Sequence, residues 1–354
     1  MQTGRVWWEP YDQLLLATGA LPVCPALPGA DIVETCGINT LQSGIELQRL
    51  LDEGGAKKGI IVGGGYIGLE MAEALVRRGM EVALIARSPE VMGTLDEDMG
   101  HLVSQALRDS GVTLFLGETL TGFETRGGKV TGAVTDKRSL PADIVILGLG
   151  VRPSTSLAAA AGIPLGEKGA IRVNERMQTG IDGVWAAGDC AESFHLISRR
   201  PFYIALGTVA NRQGRVAGIN LGGGYATFPG VVGTAITKVC QVEVARTGLQ
   251  EKELKKLGVE WLSAVIKSRT KAGYFPGAGE ITVKVLAERG SGRLLGGQIV
   301  GMEGSAKRID TLATALHAGF TVEEIINLDL GYAPPFSPVW DPVVTAARRA
   351  AKLI

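Results

Sequence analysis

The chain has 354 residues, 45% of them hydrophobic, with 36 basic residues against 36 acidic and a formal net charge of zero. That length admits two or three domains with substantial cores, while the balanced charge and the lack of any basic block argue against nucleic acid and anionic membranes as partners. No apolar run reaches the length of a bilayer span and no signal-like apolar segment opens the sequence, so a cytoplasmic location is expected.

In chain order the pattern starts with a strand at 13–17, then Thr18-Gly19 and a Pro-rich turn ending at Gly29. From 56 to 147 strand and helix alternate: strand 59–62, helix 66–78, strand 81–86, helix 97–109 and strand 112–116. A hairpin, 120–126 with 129–135, turns on Gly127-Gly128 and is followed by a strand at 142–148. Such alternation predicts a mainly parallel sheet with helices on both faces. A short helix near 154–161, a strand at 184–187 and a helix near 203–219 come next. From about 228 the style changes. Strands near 231–237, 260–268, 280–288 and 294–301 mix with helices near 305–318 and 338–351, as in an α+β domain with an antiparallel sheet.

Cys24, Cys36, Cys190 and Cys240 are scattered, without a Cys-x-x-Cys, and read as small interior residues rather than a disulfide scaffold or zinc site. His101, His195 and His317 have no metal-ligand spacing, so no metal is expected.

The chemistry-bearing signal is Gly63-Gly64-Gly65-Tyr66-Ile67-Gly68, set between an apolar strand and a helical pattern. Alone, such a motif is often a chance glycine turn; between strand and helix it marks a nucleotide site. Gly65 lets backbone approach a pyrophosphate, Gly68 lets the helix sit close to the sheet, and the helix start supplies N–H groups and positive dipole. The next strand ends in Ala86-Arg87-Ser88, where an NAD site usually places an acidic residue. A guanidinium suits a 2′-phosphate, so Arg87 favours NADPH over NADH; an ordinary solvated arginine leaves both open.

A second nucleotide signal runs from Thr179 to Asp189. The strand there ends in small residues, and Asp189 offers a carboxylate at the carboxyl edge, where ligands collect in open α/β sheets. By itself Gly188-Asp189 is a plain turn. With the Ala17-Thr18-Gly19 segment ahead of the fingerprint, it becomes part of a second site.

These three segments, in this order, resemble the flavin-dependent pyridine nucleotide–disulfide oxidoreductases, from about residue 9 to the C-terminus. Ala210–Arg215, Phe228–Thr234, Lys271–Gly277 and Leu330–Ser337 are similar to the branch containing coenzyme A-disulfide reductases, NADH oxidases and NADH peroxidases. The resemblance implies an α/β fold: FAD/NAD(P)-binding Rossmann-like domains plus a C-terminal α+β dimerisation domain. Its parts would be a remnant of the FAD-binding domain at 1–30, an NAD(P)-binding domain at 31–148, the second part of the FAD-binding domain at 149–225 and the dimerisation domain at 226–354.

By the same resemblance Asp189 bonds the flavin ribityl chain, and Ala17, Thr18, Gly19, Gly150, Thr179 and Gly188 count as cofactor-binding. Gly63 to Gly68, with Glu70, form the nicotinamide nucleotide site, to which the guanidinium argument above adds Arg87. Asn211 touches a thiol substrate. Tyr274 and Tyr332 are the catalytic candidates, projecting toward the partner subunit's flavin and disulfide in a homodimer. A phenol can protonate a leaving thiolate; a tyrosine filling an amphipathic core is the plain alternative. Trp340 stands before Asp341-Pro342, where such reductases tend to carry a basic residue, which leaves Arg348 as the candidate for coenzyme A phosphates.

The implied reaction moves hydride from NAD(P)H to FAD and on to a cysteine-bound disulfide, with an oxidase or peroxidase as the alternative. Members of the family begin with a strand–GxGxxG–helix unit for the flavin's ADP moiety and a helix bearing a redox-active cysteine. Neither stands ahead of Ala17, and none of the four cysteines lies on such a segment. A third expectation is therefore an N-terminally truncated, catalytically incomplete NAD(P)H-binding dimer. It would be poorly soluble, with uncovered faces around 13–17 and 184–187.

Overall fold

The computed structural model describes residues 7–32 and 37–354. Two units divide the chain: one takes the described residues up to Leu21 with Val151–Val231, the other Pro22–Gly150 with Val232–Ile354. Cys36 lies outside the described residues.

In the larger unit a parallel four-stranded sheet runs in the order Thr113–Leu116, Glu81–Ala86, Lys58–Val62, Ile144–Leu147. Its central strands are near-continuous apolar runs because both faces are covered. Side chains alternate: Ile61, Leu84 and Ile146 pack with the helices Tyr66–Arg77 and Glu97–Asp109 through Leu69, Leu75, Met99 and Leu107. Ile60, Val62, Ile85, Val145 and Leu147 point the other way, onto Phe123 and Ala133. That second face is covered by an antiparallel meander, Leu120–Arg126, Lys129–Thr135 and Ser139–Pro141, which corrects the expectation of helices on both faces. The hairpin turns on Gly127 and Gly128, both at positive φ, as a two-residue turn between right-twisted strands demands. The helix Leu41–Gly54 was not expected; Thr40 and Ser43 cap its start and left-handed Gly55 ends it.

The rest of this unit is an antiparallel five-stranded sheet in the order Ala235–Val239, Val242–Gly248, Leu294–Gly301, Glu280–Glu288, Trp261–Arg269. Val242–Gly248 is absent from the sequence-based expectation, as are the helices Glu251–Leu257 and Val322–Ile326. The expected C-terminal helices appear as Ile309–Ala318 and Pro342–Ala351. Pro342 starts the last of them, and Asp341 caps it by accepting from the Val343 N–H at 2.8 Å.

In the smaller unit the strand Leu14–Leu16 pairs in parallel with Val184–Ala186. A hairpin, Ser193–His195 with Arg200–Phe202, and the helix Gly207–Leu221 follow. Val184, Trp185, Ala186 and Ala187 are at most 4% exposed, so the expected bare face at 184–187 is covered, while Leu15 stays 38% exposed. Cys190 of this unit is free, as is Cys240 of the larger one, whereas Cys24 of the larger unit is disulfide-bonded, which corrects its reading as an unpaired interior residue. Among the described residues no helix is long and apolar enough to cross a membrane.

Candidate functional site

The turn after Lys58–Val62 is built by backbone crowding. Gly63 sits at φ +113, and a Cβ there would lie 2.3 Å from the Gly148 carbonyl oxygen. A Cβ on Gly68 would lie 2.0 Å from the Gly63 carbonyl oxygen, so the helix Tyr66–Arg77 approaches the sheet this closely only through glycine. Gly65 differs. Its backbone is ordinary extended chain (φ −93°, ψ −175°), and a Cβ there would meet no atom of the described residues within 4 Å. The protein's own packing does not require glycine at 65, whereas a pyrophosphate resting on the backbone does. No side chain caps the helix start, and its first turn holds no acidic residue, so its unpaired N–H groups face outward with their dipole unopposed. The loop therefore fits a dinucleotide.

Around it, Tyr66 and Ile67 are half-buried, and the Thr94 hydroxyl stands 3.5 Å from the Tyr66 hydroxyl. Glu70 accepts from the Thr237 hydroxyl at 2.9 Å and is turned to the five-stranded sheet. Gly64 is held by the loop that follows Ala86: its carbonyl accepts from the Met92 N–H at 2.7 Å. Ala86 is buried and Arg87 exposed, with no ion pair to Arg87 among the described residues. A cavity of about 450 Å³ opens beside this loop, lined by Ser88, Glu90, Val91, Asp96, Asp98 and Lys284 among others. Gly150, at φ +88, follows the neighbouring strand, with open space where its side chain would be.

In the smaller unit two parallel strands end side by side at Leu16 and Ala186, so Ala17–Gly19 and Gly188–Asp189 leave the same sheet edge. The Ala187 N–H donates to the Leu16 carbonyl at 3.1 Å. The Thr18 hydroxyl donates to the Ser154 carbonyl at 2.5 Å, and Gly19 at φ +68 has open space around it. Gly188, at φ +84, donates its N–H to Gln213 Oε1 at 2.9 Å, and the Asp189 carbonyl accepts from the Tyr203 hydroxyl at 2.9 Å. Asp189 Oδ1 is buried without a donor among the described residues, and burial pushes its carboxyl above the usual value. Burial, with Asp189 and Cys190 adding to it, pushes Tyr203 up to about 12. A buried carboxylate oxygen needs a donor, and a polyhydroxylated ligand chain supplies one. This edge fits the ribityl chain of a flavin.

Other expected residues are placed less centrally. Thr179 stands at the opposite end of the strand Val184–Ala186, its hydroxyl donating to the Val184 carbonyl at 2.9 Å. Asn211 is exposed on the helix Gly207–Leu221. In the larger unit Tyr274 and Tyr332 come together, 79% and 47% exposed, and their mutual hydrogen bond raises Tyr332 above the usual phenol range. Their segments are tied by the Ala272 N–H donating to the Pro334 carbonyl at 3.1 Å. Arg308 adds a clamp, donating to the carbonyls of Thr270 and Phe336 at 2.8 Å each while pairing with Asp341 at 3.0 Å. Arg348 lies over the Trp340 ring, 4.3 Å from its centroid. Tyr203 and Arg308 escaped the sequence reading, and Gln213 stood in the Ala210–Arg215 stretch without a role of its own. Each works through a carbonyl or N–H distant in the chain, which no local spacing announces.

The pattern of the family described as "Pyridine nucleotide-disulphide oxidoreductase" matches residues 9–214, and that of its dimerisation domain matches 234–343. The chain is 40% identical over 339 residues to an NAD(P)H sulfur oxidoreductase (CoA-dependent) from Pyrococcus furiosus, covering 96% of this chain and 76% of that protein. An NAD-dependent persulfide reductase from A. fulgidus superposes with a TM-score of 0.93 at 40% identity, over 97% of this chain and 64% of that one. The chain thus spans less than two thirds of that solved protein's length. An engineered water-forming NADPH oxidase bound to NADPH, derived from the Lactobacillus brevis NADH oxidase, superposes with a TM-score of 0.91 at 28% identity. That match covers 98% of this chain and 76% of the oxidase.

Proposed function

The chain belongs to the pyridine nucleotide-disulphide oxidoreductase family, and from that premise we propose that it uses NADPH and FAD to reduce a coenzyme A-linked disulfide or persulfide. The observation that carries this reading is the buried, donorless oxygen of Asp189 at a sheet edge, joined in one chain to a glycine turn with Gly65 open to a ligand. FAD, when bound, accepts hydride and passes electrons on. Asp189 would hold its ribityl chain, with the Gly188–Asp189 turn fixed by Gln213 and Tyr203. The turn at 63–68 would hold the nicotinamide nucleotide.

The choice of NADPH rests on Arg87. The engineered NADPH oxidase has three consecutive residues, Asp-Ala-Met, replaced by Ala-Arg-Ser. This chain carries the same tripeptide, Ala86-Arg87-Ser88, at the end of the strand Glu81–Ala86. Removing the carboxylate admits a 2′-phosphate, and the guanidinium with a neighbouring hydroxyl binds it.

Tyr274 and Tyr332 would supply a proton to the departing thiolate, and Asn211 would contact the thiol. Arg348, stacked on Trp340, would face the coenzyme A phosphates. We assign 226–354 to homodimer formation, which brings the tyrosine pair to the partner's site, and 31–148 to NADPH binding. Residues 1–30 and 149–225 are assigned to FAD, and the protein to the cytoplasm. Oxygen reduction is the second reading, favoured by the superposition on the oxidase. Purified protein supplied with FAD and NADPH separates the two. Loss of NADPH absorbance that requires coenzyme A disulfide or persulfide supports the reductase; loss that requires only oxygen supports the oxidase. A chain that takes up neither FAD nor NADPH overturns both.

A further inference from the structure

The strand Glu280–Glu288 carries a lysine in an otherwise apolar, inward-facing position. Lys284 is 2% exposed and lies opposite Gln298, 1% exposed, in the antiparallel register. Both grip Asp96. Lys284 Nζ stands 3.1 Å from Asp96 Oδ2, 2.8 Å from Asp98 Oδ1 and 2.9 Å from Glu251 Oε1. Gln298 donates to Asp96 Oδ2 at 2.7 Å and accepts from the Asp96 N–H at 2.9 Å, while the Glu251 N–H donates to Asp96 Oδ1 at 3.0 Å. Burial works to lower the Lys284 ammonium, but the carboxylates of Asp98, Glu251 and Asp96 outweigh it and hold the group above its usual value.

A buried ion pair adds little to stability over a packed apolar residue, so its use is better sought in what it fixes. Asp96 closes the loop that follows Ala86. Inside that loop the Leu95 N–H donates to the Met92 carbonyl at 2.7 Å, and the Met92 N–H to the Gly64 carbonyl at 2.7 Å. Val91 packs so closely that a Cβ on Gly64 would lie 3.1 Å from its Cγ1. Met92 is held at φ +52, a conformation that persists in a non-glycine residue only where neighbours impose it. Short contacts therefore run without a break from Lys284 through Asp96, Leu95 and Met92 to Gly64.

We propose that Lys284 is a positioning residue for the nicotinamide nucleotide: by gripping Asp96 it fixes the loop that sets Gly64, and with it the N–H groups at Gly65 and Tyr66 that face the pyrophosphate. This rests on reading 63–68 as the nucleotide site.

The test is NADPH affinity, by fluorescence titration of the whole chain and its Lys284→Met, Lys284→Arg and Gln298→Leu variants. Val322→Ala, a buried position on the helix Val322–Ile326, is the destabilised control. Lys284→Met should weaken NADPH on the order of tenfold or more, the scale on which small misplacements of binding groups act. Amide hydrogen exchange should quicken at Gly64–Tyr66 and Met92–Leu95. Lys284→Arg should recover part of the affinity, and Val322→Ala should melt earlier yet bind as the parent does. Unchanged affinity in folded Lys284→Met overturns the proposal, as does an equal loss in Val322→Ala. If Lys284→Met does not fold, unchanged affinity in Gln298→Leu overturns it instead. A parent chain that binds no NADPH sinks the reading of 63–68 itself, a different and recognisable failure.

Discussion

Gln213 accepts the Gly188 N–H at 2.9 Å while its own Nε2 donates to the Glu192 carbonyl at 3.1 Å and to the Ser193 hydroxyl at 3.0 Å. The side chain is fully buried, so one residue of the helix Gly207–Leu221 satisfies the backbone on both sides of Asp189. Gln213→Leu keeps the bulk and strands those groups. Each buried unsatisfied group costs about 1–3 kcal/mol, so urea unfolding should show a loss of at least that size. FAD affinity should fall with it, because the Asp189 turn is no longer held.

Asp189 itself should behave in the opposite sense. Burial raises its folded-state pKa above the ordinary 3.8, so the folded protein holds that proton more tightly than the unfolded chain. Its contribution is most favourable at low pH and declines as pH rises through the carboxylate range. Asp189→Asn removes the buried charge. Without flavin, the variant should melt higher than the parent at neutral pH, and the gain should vanish below the ordinary value, where Asp189 is protonated in both states. A gain that is the same at pH 3 and pH 7 would contradict this. With FAD present the ranking should reverse.

The glycines of the fingerprint separate by the same reasoning. Gly68→Ala forces a Cβ to within 2.0 Å of the Gly63 carbonyl and should destabilise by about 1–3 kcal/mol or more. Gly65→Ala meets no atom within 4 Å and should leave the melting temperature nearly unchanged while abolishing measurable NADPH binding. Calorimetry with NADPH titration reads both effects. Tight NADPH binding by Gly65→Ala would show that the pyrophosphate does not rest there.

Arg87→Ala tests the 2′-phosphate contact. Hydrogen bonds to a charged group contribute about 1.5–3 kcal/mol, so NADPH affinity should drop on the order of ten- to a hundredfold. NADH affinity should scarcely move. Equal losses for the two nucleotides would place Arg87 away from the phosphate.

The parallel sheet and its two helices were readable because strands buried on both faces spell out apolar runs, Ile60-Ile61-Val62 among them, between glycine turns. The strand Val242–Gly248 was hidden because the turn before it uses Cys240 at φ +52 instead of a glycine or asparagine. The helix Leu41–Gly54 lies at the surface, burying only Leu47 and leaving Leu41 83% exposed, so little core marks it. Asp189 and Gly63–Gly68 carried local signals. Gln213, Tyr203 and Lys284 did not, since a polar side chain inside a fold has meaning only through partners far away in the chain. Lys284 left one trace, a charge between Val283 and Val285 in a strand otherwise written for the interior.

Gly63, Gly68 and Gly148 press on one another's backbones, and each excludes a side chain for the sake of the others. Such a trio cannot drift one member at a time, so it would persist in a descendant that had lost every interest in nucleotides. Gly65 has no such guardian. In any lineage descended from this chain, the appearance of alanine or serine at 65 beside an intact trio would date the end of selection for the ligand, while the fold went on looking unchanged.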